Sequence, residues 1–118
     1  MVNVLSLTNG QFKNFVGTLT TATTGLELVA TTTTATVIRV SSLMFANSTT
    51  SQLSTATLTL VSGGVTHTLA AGVDVDPAQL PVQVVEKDSP VYLTGVQSIR
   101  AHASGTHVSA VVAYEELS

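Results

Sequence analysis

The segment Thr57-Leu58-Thr59-Leu60-Val61-Ser62-Gly63-Gly64-Val65-Thr66-His67-Thr68-Leu69 constrains this chain more than any other. Its first half alternates apolar and hydroxyl side chains with period two, which sends each set to its own face of an extended strand. Two consecutive glycines then supply a two-residue hairpin turn, and the strand pattern resumes behind them. Pairing across the glycines sets Leu58 opposite Leu69 and Leu60 opposite His67 on one face, with Thr59 opposite Thr68 on the other.

The same pattern extends along the chain. A strand is predicted from Ala35 to Asn47, where Ile38 and Val40 share one face but Leu43 and Phe45 have the opposite parity. A β-bulge at Ser41-Ser42 would bring all four to the core. Asp74 to Pro81 carries two prolines and is a connection, Val82 to Val85 is a short apolar strand, and Glu86-Lys87-Asp88-Ser89-Pro90 is a charged turn. Val91 to Leu93 follows, and then Ser98 to Ala103 and His107 to Tyr114 flank Ser104-Gly105. A two-residue turn there puts Ile99, Ala101, Ala103, Val108 and Ala110 on one face and sets His102 across from His107 on the other. About seven short strands and no helical period predict an all-β fold, an antiparallel β-sandwich of immunoglobulin-like or jelly-roll-like type, with an open barrel as the alternative.

Residues 1–30 lack a clear period and are expected to form an extended N-terminal arm, leaving 31–118 as the sandwich domain. Leu5, Leu7, Phe12, Phe15 and Val16 make this arm too apolar for a solvated tail, so it is expected to lie on the chain's own sandwich or on a neighbouring subunit. Leu5, Leu7, Phe12 and Phe15 are the candidate interface residues.

Composition narrows the possible functions. Only 9% of the 118 residues are charged, and 20 Thr and 12 Ser take the place of the missing charge. Four Lys plus Arg against seven Asp plus Glu, without a basic cluster, leave no footprint for nucleic acid or anionic lipid. The N-terminus MVNVLSLTNGQFKNF lacks a basic region followed by an apolar run, and no apolar stretch is long enough to span a membrane. Cysteine is absent, so packing must stabilise the fold, and the neutral surface favours assembly into a homo-oligomer. A trimer is the working expectation.

No catalytic, cofactor-binding or metal site is predicted. The G-x-S-x-G elbow is missing, and the many hydroxyls belong to alternating strands. His102 and His107 as a facing pair would fall short of a metal-ligand set, and His67 is expected at the rim of the core. Asp74-x-Asp76 begins like a calcium loop, but Pro77-Ala78-Gln79-Leu80-Pro81 does not continue one. Glu115 and Glu116 are neighbours in a strand and point to opposite faces.

The run Thr36-Val37-Ile38-Arg39-Val40-Ser41-Ser42-Leu43-Met44-Phe45-Ala46-Asn47 resembles small structural proteins of tailed bacteriophages. The likeness continues through the Thr-rich hairpin of 56–70, through Pro90-Val91-Tyr92-Leu93-Thr94-Gly95, and to the final Val108-Ser109-Ala110-Val111-Val112-Ala113-Tyr114-Glu115-Glu116. It covers about residues 35 to 118, and departs from the group at Gly95-Val96-Gln97, where an acidic residue often follows the glycine. The resemblance implies a β-sandwich virion component assembled in the host cytoplasm, either a capsid decoration (cement) protein bridging major capsid subunits or a tail, neck or fibre-attachment ring. A monomeric ligand-binding β-sandwich is the reading from another class, and scarce aromatics count against it.

Overall fold

The structure, a computed structural model, describes residues 10–31, 35–77 and 80–117. They form nine strands, β1 (Gly10–Thr18), β2 (Leu26–Ala30), β3 (Val37–Asn47), β4 (Ser54–Ser62), β5 (Val65–Val75), β6 (Val82–Val85), β7 (Val91–Thr94), β8 (Gln97–Ala103) and β9 (Val108–Leu117). Two antiparallel sheets pack face to face. Sheet I has the order β1-β9-β3-β6, with β7 also pairing β3, and sheet II has the order β2-β8-β4-β5.

This order has a simple origin in the Gly63-Gly64 turn, where both glycines have positive φ angles of 59° and 79°. About that turn the chain doubles back as one long hairpin. β4 pairs β5, β3 pairs both β6 and β7, β2 pairs β8, and β1 pairs β9. Rolling the hairpin brings β9 to the free side of β3 and β8 to the free side of β4. The result is the jelly roll, with β6 and β7 as one strand broken by the Glu86–Ser89 turn.

Residues 10–30 are therefore not an irregular arm. Gly10–Thr18 is an edge strand of sheet I and Leu26–Ala30 an edge strand of sheet II. In β1 the residues of the same parity as Phe15 include Gln11, Lys13 and Gly17, and in β2 the register break between Glu27 and Val29 buries the consecutive Leu28 and Val29, so neither strand shows a clean period of two. At Leu19 and Thr20 the chain passes from one sheet to the other, with the Leu19 amide donating to the Val108 carbonyl of β9 and the Thr20 carbonyl accepting from the Ala103 amide of β8.

β8 and β9 do not form a hairpin, because Ser104 to His107 carries the chain across the gap between sheets. The inward set was nonetheless right, since Ile99, Ala101, Ala103, Val108 and Ala110 are all buried. In the central hairpin, Leu60↔His67 and Thr59↔Thr68 pair as expected, but Leu58 faces Ala70 instead of Leu69 because the register slips between Leu58 and Thr59. Leu69 is consequently exposed.

The bulge at the serine pair is present. Val40 pairs Tyr114 and Ser42 pairs Ala113, so Ser41 is the extra residue in β3. Ile38 and Val40 before it, and Leu43 and Phe45 after it, all reach the core between the sheets. Phe45 is the largest of the fully buried side chains, and burying it contributes roughly 1.5–3 kcal/mol.

Candidate functional site

Polar side chains gather at the end of the sandwich where β4 and β9 begin and β5 ends. Ser54 is buried at the start of β4, and its hydroxyl lies 2.5 Å from Nε2 of His107, the residue preceding β9. The His107 carbonyl accepts from the amide and hydroxyl of Ser48. Beside them lies an open cavity of about 360 Å³, lined by Leu53, Ser54, Thr55, Asp74, Asp76 and Ser104.

A serine bonded to an imidazole is the first half of a nucleophilic pair, but the second half requires a group that orients the ring. Among the described residues no carboxylate hydrogen-bonds to His107. The bond instead joins sheet II to the loop that starts β9, tying the two sheets at one corner. Asp74 and Asp76 flank buried Val75 and line the same cavity. Two carboxylates are fewer than the six to eight oxygens that calcium takes. Among the described residues no group of three or more His, Cys, Asp or Glu could hold a metal ion.

The expected facing of His102 and His107 is not formed. His102 sits in β8 opposite Thr57 and bridges Thr20, whereas His107 lies at the sheet I side of the crossing. His102 Nδ1 is buried without a hydrogen-bond partner. His67 is exposed on β5 instead of sitting at the core rim. Glu115 and Glu116 do point to opposite faces, and Glu116 forms a 2.9 Å ion pair with Lys13.

The outer face of sheet I presents a different kind of site. Strand pairing aligns Phe12, Glu115, Arg39 and Tyr92 in one row across four strands. Four residues along β1, a second row holds Val16, Val111, Met44 and Gln83, and Asn14, Ala113 and Ser42 lie between the rows. Phe12 is 85% exposed and Val16 66% exposed. The guanidinium of Arg39 leaves its buried Nε unpartnered in the middle of this neutral surface.

Of the four candidate interface residues, Leu5 and Leu7 lie outside the described residues. Phe12 stands on the outer face of sheet I, while Phe15 has the opposite parity and packs, half-buried, against its own core. Tyr92 and Arg39 were not foreseen. Val16, counted among the apolar residues of the arm but not among the interface candidates, shares the parity of Phe12 in any extended reading of 10–18 and stands on the same face.

Fold and surface together define a jelly-roll β-sandwich with a neutral, partly apolar outer sheet face. No family model matches the chain, and no curated protein and no solved structure matches it.

Proposed function

We propose that this protein is a capsid decoration protein of a tailed bacteriophage, which binds major capsid subunits by burying neutral surface. The single observation that carries this reading is the outer face of sheet I, where Phe12 and Val16 stand exposed beside Val111, Met44 and Ala113. Isolated exposed apolar residues are ordinary, but an aligned set on one rigid sheet is the form a protein interface takes. Apart from Glu115 and Arg39, which stand opposite each other in register, the residues named on that face carry no charge and are inexpensive to desolvate. The sequence resemblance over residues 35 to 118 points the same way.

A contact of about 1,600 Å² is enough for stable binding, and repetition over a shell multiplies weak contacts. Gel quantification of purified virions tests the reading against the major capsid protein. Near-stoichiometric amounts support decoration. Trace amounts, a few copies per particle, indicate a tail, neck or fibre-attachment ring instead, and absence from particles removes both. Phe12→Lys combined with Val16→Lys should abolish binding to undecorated capsids while leaving the circular dichroism spectrum unchanged.

A further inference from the structure

A sandwich has four lateral edges, and each offers unpaired backbone amides and carbonyls to any strand that approaches. Three of them are blunted here. β2 has five residues and a register break between Glu27 and Val29. β5 breaks register twice along its pairing with β4. The fourth strand of sheet I is split into β6 and β7, each four residues long, and Pro81 and Pro90 immediately precede them.

β1 is the exception. It runs nine residues without proline, and its register with β9 is unbroken from Gly10↔Leu117 to Thr18↔Ser109. Among the described residues, no strand pairs its other side. The Leu19 amide bonds the Val108 carbonyl, so by antiparallel alternation the odd-numbered residues of β1 bond toward β9. Even-numbered Phe12, Asn14 and Val16 then turn their amides and carbonyls to the open edge.

We infer that β1 is a homodimerisation edge, pairing antiparallel with β1 of a second copy about a two-fold axis through Asn14. The occupant follows from complementarity. An open edge accepts another open edge, and the remaining edges of this molecule are blunted, so a second β1 is the match that the chain itself supplies. The axis follows from residue chemistry. Centring on Asn14 pairs all nine residues, sets Phe12 beside Val16 of the partner on the outer face, and sets Lys13 beside the partner's Phe15 on the inner face. Centring on Lys13 would oppose two ammonium groups in a close pair, which is destabilising. In the Asn14 register each Lys13 keeps its own Glu116. Sheet I then continues through the axis, and the apolar residues at its rim become central. The inference is independent of the virion reading, since it concerns two copies of the free chain, and it replaces the expected trimer with a two-fold pair.

The chain has no cysteine, so single cysteines report the axis directly. Directly opposed residues in a hydrogen-bonded antiparallel pair have Cα atoms about 5.5 Å apart, inside the disulfide range. Asn14→Cys should cross-link to a dimer under mild oxidation, whereas Val16→Cys should not, because its own counterpart is four residues away along the strand. Sedimentation should give the full chain twice its 12.1 kDa mass. Asn14→Pro removes an amide that only the dimer uses, and Phe12→Lys charges the edge. Both should return the single-chain mass with an unchanged circular dichroism spectrum. A single-chain mass for the native protein at every concentration overturns the inference, as does a trimer, as does a dimer that both folded variants leave intact or in which Val16→Cys cross-links as readily as Asn14→Cys.

Discussion

Asn47 closes β3 and holds the corner beside it with all of its hydrogen-bonding capacity. Its amide nitrogen donates to the Gln52 carbonyl at 2.7 Å and to the Val75 carbonyl at 2.9 Å. Its oxygen accepts from the Thr49 amide at 2.9 Å and the Thr49 hydroxyl at 2.8 Å. The side chain thus ties the end of β3, the loop after it and the end of β5 into one unit. Asn47→Ala removes four bonds, and at roughly 0.5–1.5 kcal/mol net for each, discounted for the exposed one, the expected cost is about 2–4 kcal/mol. At about 2.1 cal/mol/K of unfolding entropy per residue, a chain of this length loses roughly 4 °C per kcal/mol, so Tm should fall by about 8–16 °C.

The sharper variant is Asn47→Asp, which preserves size and keeps one acceptor but aims a second oxygen at two carbonyl oxygens. It should cost at least as much as Asn47→Ala in thermal melts at neutral pH. Side-chain volume and local strand propensity hardly distinguish Asn from Asp, so an account based on those alone expects almost no change. A melting temperature for Asn47→Asp within about 2 °C of the native chain would refute the four-bond assignment, since the lost donors alone exceed that on the same scale.

Phe45→Ala, at a fully buried site between the sheets, should destabilise by about 3–5 kcal/mol in urea titrations with no change in the denaturant slope. Gly25→Ala should cost more than Gly72→Ala in the same assay, because both have positive φ but a Cβ at Gly25 meets the backbone of Ala101 at 3.0 Å while one at Gly72 meets nothing within 4 Å. Thr31 is buried and its hydroxyl accepts from the Gln97 amide and sits 2.5 Å from the Gly95 carbonyl, so Thr31→Val should lower stability by about 1–3 kcal/mol despite its matching shape. Hydrogen bonding to Glu116 holds the Lys13 ammonium above its ordinary value of 10.5. A raised lysine stabilises the fold fully below that value and loses its contribution as pH rises through the folded one, so low-salt melts should show an alkaline decline that Glu116→Gln flattens.

Several features set by neighbours along the chain were legible in the sequence. The serine pair of β3 announced its bulge because two apolar sets of opposite parity must both reach one core. The inward faces of β8 and β9 were legible for the same reason, as was the opposition of Glu115 and Glu116. The candidate site was legible only in part. Phe12 was singled out for being too apolar for solvent, but its row-mates Arg39 and Tyr92 come from strands brought alongside by pairing across most of the chain.

Alternation with period two by itself determined the all-β class and most of the inward set, because the pleat is a local property of the backbone; the register slip in the β4–β5 pair is what left Leu69 exposed. Beyond the β4–β5 hairpin at Gly63-Gly64, only the tertiary structure decided which strands are neighbours. A tight hairpin and a crossing between sheets demand the same small residues at the bend and the same inward set on either side, so Ser104-Gly105 could not announce which it is. The choice is made by distant groups, with the Leu19 amide taking up the Val108 carbonyl and the Thr20 carbonyl the Ala103 amide at that corner, and partners so far apart in the chain leave no local pattern.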